Sequence, residues 1–375
     1  MKFPFMPRLS KVLAAALAAT ALGAAPLSWA GPPDIGPLPE IKFDAKKAAL
    51  GKRLFSDPRL SGDAAISCAS CHDPKEGFTK HVPLGLAYPG SDHFRNAPTL
   101  INTAHKGGKS GIPWHWDGRL GTSLNDMTRD MLTESYVMNI DMRIMQERLK
   151  QDPVYVQMFK DAWDGKEPAN GRVRDSIPEF LKSLVSKNVP FDQGKLSSDA
   201  KAGMELFKGK AGCINCHNGV LFTDGKPHNT GVPENPEVFK NPARHLTYIT
   251  FMFSLGVEDR FNWRRDIGYM TVSHDEADLG KFVTPGLREL KYTAPYMHNG
   301  MIATLDDVVE FYNQGGGEDR PGLKDGLMKP LGLSAAEKKS LVAFLLSLSG
   351  DDLAYEPEKP NLSYPAIPNW YEAKN

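Results

Sequence analysis

Two short motifs of cysteine and histidine carry the most specific chemistry in the 375-residue sequence. Cys68-Ala69-Ser70-Cys71-His72 and Cys213-Ile214-Asn215-Cys216-His217 share the spacing Cys-x-x-Cys-His, and together they contain all four cysteines. This is the attachment pattern of haem c, in which both thiols bond covalently to the haem and the histidine becomes the proximal ligand of the iron. The sequence therefore predicts two covalently bound haem c groups, with His72 and His217 as iron ligands.

Other uses of paired cysteines fit this spacing less well. Cysteine pairs that share one zinc ion are usually about 12–20 residues apart, whereas these motifs lie in different halves of the chain. A thioredoxin-like redox pair has no need of the histidine that follows both motifs. A disulfide within one Cys-x-x-Cys pair remains open, because an oxidising compartment permits it.

The N-terminus has the pattern of a secretory signal. Three basic residues precede or begin an Ala- and Leu-rich stretch over 12–27, and Ser28-Trp29-Ala30 has small residues at its outer positions. This predicts a signal peptide at 1–30 with cleavage after Ala30. We expect a periplasmic protein, because haem c is attached outside the cytoplasm. The apolar run is too short to span a bilayer comfortably and no later stretch is long enough, so we expect no membrane span.

The charge balance argues against some classes of partner. Lysine and arginine together number 45, as do aspartate and glutamate, so the formal net charge is zero. Strong attraction to nucleic acid or to an anionic membrane surface needs a basic excess. We therefore expect neither partner.

A weak internal repeat organises the chain around the two motifs. Gly51-Lys52-Arg53-Leu54-Phe55 precedes the first motif and Gly203-Met204-Glu205-Leu206-Phe207 precedes the second. Both lie on predicted amphipathic helices, with Asp44 and Ser198 as N-caps. Strand signals are sparse. We expect a mainly α fold of two cytochrome c-like domains, each with one covalent haem, long loops and few strands.

The domain limits follow from breaks in this pattern. Lys187-Asn188-Val189-Pro190 interrupts the preceding helix. We place the N-terminal domain at 31–190, the C-terminal domain at 191–350, and a Pro- and aromatic-rich arm at 351–375. Residues 224–280 form a long excursion after the second motif, and segments of this length are often functional.

Two capping boxes predict helices in the C-terminal domain. Ser334 with Glu337 opens a helix that runs to Gly350, and Thr304 with Asp307 opens a shorter helix that stops before Gly315.

The second axial position of each iron decides between electron transfer and catalysis, because only an open position admits peroxide or oxygen. Tyr312 is one candidate ligand, since it shares the apolar face of the helix opened by Thr304. Met297, beside His298, is the other. For both, periodicity alone favours ordinary packing in the core.

Trp116 lies in the most aromatic part of the chain, Trp114-His115-Trp116-Asp117-Gly118-Arg119. A buried tryptophan between redox centres can relay electrons, and a structural aromatic cluster is the alternative interpretation.

With these motifs, the chain resembles the bacterial di-haem cytochrome c peroxidases and the related MauG proteins. The resemblance covers nearly all of the chain after the predicted signal peptide. The matching segments are 54–61, 68–78, 95–99, 116–119, the second haem motif and 293–300. It implies that the haem on His72 is the peroxidatic one and that the haem on His217 transfers electrons. Trp116 matches the family tryptophan between the haems.

The resemblance also implies metal ligands. Asn96, with the carbonyl groups of Thr293 and Pro295, matches a Ca²⁺ site between the domains, and oxygen ligands suit that cation. The peroxidases have methionine at the position of Tyr312, whereas MauG-like members have an axial tyrosine there. The comparison therefore favours Tyr312 over Met297 as the sixth ligand of the second haem.

Some positions depart from the family pattern. Tyr88 stands where many peroxidases have a switchable histidine, which implies a first haem that is open without prior reduction. Met127 and Val137 align near the family's distal glutamine and glutamate. Glu134 is a substitute if the loop is displaced, and without such a group peroxide turnover loses a factor of about 10²–10⁴.

These expectations describe a MauG-like periplasmic di-haem oxidoreductase. Hydrogen peroxide binds at the open first haem, and the oxidising equivalents are shared with the second haem through Trp116 and then drawn from an external donor, such as a partner protein. One alternative is a conventional peroxidase that receives electrons from a small cytochrome c or a cupredoxin. A non-catalytic di-haem electron carrier is the other. The parent family often dimerises, so a homodimer is also an expectation.

Overall fold

Helices form most of the regular structure. A computed structural model describes residues 35–89, 91–121, 123–318 and 323–356. Within these ranges two short strands, β1 (Pro227–His228) and β2 (Phe282–Val283), pair antiparallel. The α-helices are α1 (Ala45–Phe55), α2 (Cys68–Cys71), α3 (Leu124–Thr133), α4 (Met142–Lys150), α5 (Pro153–Ala162), α6 (Asn170–Ser183), α7 (Ser198–Lys208), α8 (Glu237–Lys240), α9 (Pro242–Ser254), α10 (Met270–Ser273), α11 (Leu305–Asn313) and α12 (Ala335–Leu346). The predicted mainly α fold is confirmed.

Two helix pairs repeat the same close packing, α1 against α6 and α7 against α12. The glycine of the repeated Gly-x-x-Leu-Phe segment lies at each contact. A Cβ atom on Gly51 would be 2.1 Å from the carbonyl oxygen of Ser176, and one on Gly203 would be 1.9 Å from that of Ser340. No side chain fits at such distances, so only glycine lets these helices approach so closely.

Three phenylalanines pack beside each of these contacts, with ring centroids 5.2–6.3 Å apart. The two equivalent sets are Phe55, Phe78 and Phe180, and Phe207, Phe222 and Phe344. The repeat therefore extends from the sequence motif into the core. The limits 31–190 and 191–350 stay a prediction.

The 224–280 excursion contains β1 and helices α8 to α10, joined by loops. Asn241 caps α9 by accepting a hydrogen bond from the Ala243 amide, 2.9 Å away, and Pro242 occupies the first turn. This Asn-Pro pair is a helix-start signal that the sequence contains. The inner face of the excursion joins a core cluster with the N-terminal half, formed among others by Leu84, Phe94, Tyr136, Tyr248 and Phe251.

The predicted helix caps are correct within a few residues. Asp44 accepts hydrogen bonds from two amides at the start of α1. Ser197, not Ser198, caps α7. The capping box at Ser334 is present, but α12 ends at Leu346 instead of Gly350, because the following amides switch to tighter bonds with the carbonyl three residues back.

The predicted signal peptide at 1–30, with its cleavage point after Ala30, lies outside the described residues, as do residues 357–375 of the predicted arm. The described start of the arm packs on the body, since the Tyr355 ring lies 5.4 Å from Phe78 and 5.7 Å from Phe180. Among the described residues, no helix has the length and apolar character needed to cross a membrane.

Candidate functional site

The two predicted proximal histidines are held in the same way. Nδ1 of His72 lies 3.2 Å from the carbonyl oxygen of Phe78, and Nδ1 of His217 lies 3.0 Å from that of Phe222. When Nδ1 donates to a carbonyl, Nε2 is left for a metal. Phe78 and Phe222 have φ of +56° and +57°. Bulky residues rarely adopt this conformation, and such strain clusters at functional sites.

The cysteines lie on the short turns that precede these histidines, and no disulfide joins any two of the four. Cys68 packs at the edge of the first core cluster and Cys213 at the edge of the second. The two pairs therefore belong to different parts of the fold, which disfavours one shared zinc ion. Burial raises the pKa of the Cys68 and Cys213 thiols to about 12.

A cavity of about 840 Å³ adjoins His217, within the range of about 300–1,000 Å³ that is typical of ligand sites. It is lined by most of the residues that the sequence singled out: Asn96, Trp116, Thr293, Pro295, Met297 and Tyr312. The fold therefore gathers both candidate axial ligands, the tryptophan and the candidate Ca²⁺ ligands around the second motif.

His298 helps to line this cavity. Its unpaired ring nitrogen tests whether a haem fits there. Its side chain is buried and stacks on Phe282 at 3.6 Å between ring centroids. Its Nε2 has no hydrogen-bond partner among the described residues. Such a buried group costs about 1–3 kcal/mol, and a propionate carboxylate of a haem can accept its hydrogen bond. The cavity therefore fits a haem attached at Cys213 and Cys216.

Tyr312 lies on α11, and its ring meets that of Phe311 edge-on at 5.3 Å. Burial raises the pKa of the Tyr312 hydroxyl, and the nearby Cys213 and Cys216 thiols raise it further. Tyr312, Cys213 and Cys216 line the same cavity. Met297 lines the same cavity from a loop, where its φ is +74°.

Trp116 is hydrogen-bonded to the candidate Ca²⁺ ligand Asn96. The Trp116 indole Nε1 donates to the Asn96 carbonyl oxygen at 2.9 Å, and its ring meets that of His298 edge-on at 6.5 Å. The Asn96 side-chain nitrogen donates to the carbonyls of Val82 and Pro83, at 3.0 and 3.3 Å. This orientation leaves the Asn96 amide oxygen for another partner.

A buried ionic network fixes the loop that carries Trp116. Arg95 is 2 % exposed and donates to both carboxylate oxygens of Asp266, at 2.6 and 2.8 Å. It also donates to Asp117, which accepts from Arg119 at 2.8 Å. Burial opposes ionisation of Asp117, but Arg119 and Arg95 lower its pKa overall. The network joins the Trp116 loop to the 224–280 excursion.

The residues aligned with the family's distal groups cannot transfer protons. Met127 is buried, and Val137 packs against the first and third core clusters. Glu134 follows the last residue of α3, and burial, followed by the charge of Asp130, raises its pKa. The structure adds Asp130 and His115, which sequence reasoning missed as candidates. Two features of the sequence point to these candidates. Asp130 lies one helical turn before Glu134, and His115 lies next to Trp116.

Comparisons with known proteins show the family to which the chain belongs. The family model described as di-haem cytochrome c peroxidase matches residues 45–201. The cytochrome-c peroxidase IdrP2 of Denitromonas iodatirespirans is 49% identical over 373 residues, which cover 97% of this chain and 96% of that protein. The methylamine utilization protein MauG of Methylorubrum extorquens is 33% identical over 316 residues, covering 82% and 80%.

A solved structure, that of a MauG-like protein associated with microbial copper homeostasis, superposes with a TM-score of 0.69 at 26% identity and covers 86% of this chain and 95% of that one. The chain therefore belongs to the di-haem cytochrome c peroxidase family, which includes the MauG proteins. It is a peroxide-dependent oxidoreductase, and the family implies two haem c groups, hydrogen peroxide and a redox partner.

Proposed function

We propose that this protein is a periplasmic oxidoreductase of the MauG type. It activates hydrogen peroxide at the haem on His72 and shares the two oxidising equivalents with a haem ligated by His217 and Tyr312. The observation that carries the proposal is the position of Tyr312, which lines the same cavity as Cys213, Cys216 and His217.

The identity of the axial ligand sets what the second haem does. A phenol oxygen is a harder and more electron-donating ligand than a thioether sulfur, and axial ligand choice spans about 0.8 V in reduction potential. A haem with a tyrosine ligand is therefore a poor store of reducing electrons. It suits a protein that holds oxidising equivalents until a donor supplies electrons.

The haem groups supply the redox chemistry when bound, and the chain positions them. His72 and His217 present Nε2 because their Nδ1 atoms face backbone carbonyls. Trp116, held by its hydrogen bond to the Asn96 carbonyl, would supply the aromatic group that relays electrons between the haems. A Ca²⁺ ion on Asn96, Thr293 and Pro295 would hold this loop and the 293–300 loop together. The electrons come from an external donor, for which a tyrosine or tryptophan of a partner protein is suitable.

A conventional peroxidase is the second candidate, with electrons from a small cytochrome c or a cupredoxin. The observation that favours it is the 49% identity, over nearly the whole chain, to a protein named cytochrome-c peroxidase. Steady peroxide turnover with a reduced cytochrome c, obtained only after prior one-electron reduction, would favour this candidate over the MauG type.

Replacement of Tyr312 by methionine tests the proposal. Redox titration of the purified di-haem protein should show that Tyr312→Met raises the potential of the second haem, on the order of 0.1–0.4 V within the known span for axial ligands. The potential of the first haem should stay unchanged. The resting ferric wild-type protein should show a high-spin signal from the open first haem.

Met297→Leu is the matched control, since it changes the other candidate ligand on the same cavity. We expect it to leave both potentials unchanged. A shift in Met297→Leu with none in Tyr312→Met would assign the axial position to Met297. Low-spin spectra for both haems at rest would refute the open first site.

A further inference from the structure

Two buried polar atoms outside the cavity of His217 have no hydrogen-bond partner among the described residues. Nε2 of His115 and Oδ2 of Asp130 are buried, and neither has a hydrogen-bond partner in the part of the chain that the structure describes. The two atoms are 4.0 Å apart, which is too far for a hydrogen bond between them. A small molecule placed about 2.8 Å from each atom could bond to both.

The C-terminal end of α3, the helix that carries Asp130, lies beside the segment that follows the first haem motif. Sγ of Cys71 is 3.7 Å from the Leu86 carbonyl, and the Tyr88 amide donates to the Tyr136 carbonyl at 3.1 Å. Tyr136 belongs to the turn that directly follows α3, the helix of Asp130. Short contacts therefore connect the attachment point of the first haem with the C-terminal end of α3.

Charged groups surround both members of the pair. Burial and the neighbouring Arg119 lower the pKa of His115, so the imidazole is neutral near pH 7 and can accept a proton. Burial raises the pKa of Asp130, against the opposing effect of Arg119, whose Nε is 3.9 Å from Oδ2. The titratable and charged groups that face the two side chains are His93, Arg95, Asp117, Arg119, Arg129 and Glu134.

We propose that His115 and Asp130 form the proton-transfer pair for peroxide at the first haem, in place of the glutamine and glutamate that the family alignment leaves as Met127 and Val137. This proposal rests on the proposed function. His115 Nε2 takes the proton from the peroxide oxygen next to the haem and returns it to the other oxygen. Asp130 Oδ2 accepts the remaining hydrogen bond and orients the molecule.

The atoms and electrons of this step balance. The O–O bond breaks, and the oxygen that receives the proton leaves as water. The two electrons are drawn from the haem groups. The external one-electron donor then returns two electrons, and the remaining oxygen takes up two protons to become the second water. Overall, hydrogen peroxide, two protons and two electrons give two waters.

The geometry favours this pair over Glu134. Glu134 is one helical turn from Asp130, whose charge raises the Glu134 pKa. Among the described residues, His115 and Asp130 each present a buried atom without a hydrogen-bond partner and these two atoms are 4.0 Å apart, whereas Glu134 presents no such atom.

The test uses the holoprotein and the variants His115→Gln, Asp130→Asn and Glu134→Gln. His245→Gln is the matched control, because His245 on α9 also has a buried Nε2 without a partner in the described ranges. The first readout is the rate of reaction with hydrogen peroxide, which should fall about 10²–10⁴-fold in the first two variants. The second is the rate of cyanide binding against pH, since hydrogen cyanide must lose a proton to bind ferric iron.

We expect the cyanide rate to fall at least tenfold and to lose its pH dependence in His115→Gln, while Tm stays at or above the wild-type value and His245→Gln behaves like the wild type. Wild-type rates in both pair variants, or a loss confined to Glu134→Gln, would overturn the pair and leave the proposed function standing. A wild-type protein that binds neither cyanide nor peroxide would overturn both. A lower Tm with an unchanged cyanide pH profile would make the pair structural and overturn its catalytic role.

Discussion

The contact between α7 and α12 should not tolerate even one added methyl group. In Gly203→Ala, the new Cβ would lie 1.9 Å from the Ser340 carbonyl oxygen, 2.5 Å from its carbon and 2.9 Å from the Phe344 Cβ. Restoring ordinary contact requires the helices to separate by about 1.5 Å. Overpacking costs about 1–3 kcal/mol, and this crowded site should be at the upper end, about 3 kcal/mol.

The effect should reach the second haem, because Phe344 packs on Phe222, whose carbonyl holds His217. Urea denaturation followed by circular dichroism gives the change in the free energy of unfolding, and the resting absorption spectrum reports the haem. Gly171→Ala is the control: this helical glycine has nothing within 4 Å of an added Cβ, so alanine should stabilise by up to about 1 kcal/mol. A Gly203→Ala protein within about 0.5 kcal/mol of the wild type would refute the packing argument.

Three further predictions concern polar and aromatic contacts. Asp266→Asn leaves the buried charge of Arg95 poorly paired and should lower the free energy of unfolding by about 3–5 kcal/mol, measured by urea denaturation. Tyr355→Ala removes a ring that packs on two phenylalanines and should cost about 1–3 kcal/mol in the same assay. The hydrogen bond to Asp224 is the largest contribution that raises the pKa of His228 above its ordinary value. Because the unfolded value is about 6.5, the stabilisation is complete below pH ~6.5 and is lost as pH rises through the raised pKa of the folded protein, so the stability difference from His228→Gln should shrink over that range.

Each of these has an outcome that contradicts it. A change below about 1 kcal/mol in Asp266→Asn would mean that Arg95 finds other partners or water. Tyr355→Phe should keep most of the stability, and a loss equal to that of Tyr355→Ala would assign the effect to the hydroxyl. For His228, a stability difference that is constant with pH would show that the imidazole is not charged in the folded protein.

Local sequence signals predicted the features that depend on a few consecutive residues. The haem motifs, the capping residues Asp44 and Ser334 and the repeated glycine helices could all be found in this way. They depend on spacing along the backbone, where the distance between side chains is set by the helix or turn itself. The same kind of signal is present for α9, in Asn241 and Pro242.

Contacts between distant segments could not be predicted in this way. Periodicity placed Tyr312 on an apolar face, but only the folded chain puts it and Met297 on the same cavity as His217. Likewise, nothing in the sequence pairs Arg95 with Asp266 or brings His115 within 4.0 Å of Asp130.

The sequence by itself predicts that two haem groups attach, where they attach and which histidines serve them, because covalent attachment needs only five neighbouring residues. The tertiary structure decided which side chains surround each site, because such neighbours come from loops and helices whose approach is set by packing across the whole core. The glycine contacts and the phenylalanine sets repeat in both halves. In them a repeat of the local sequence becomes a repeat of the tertiary packing.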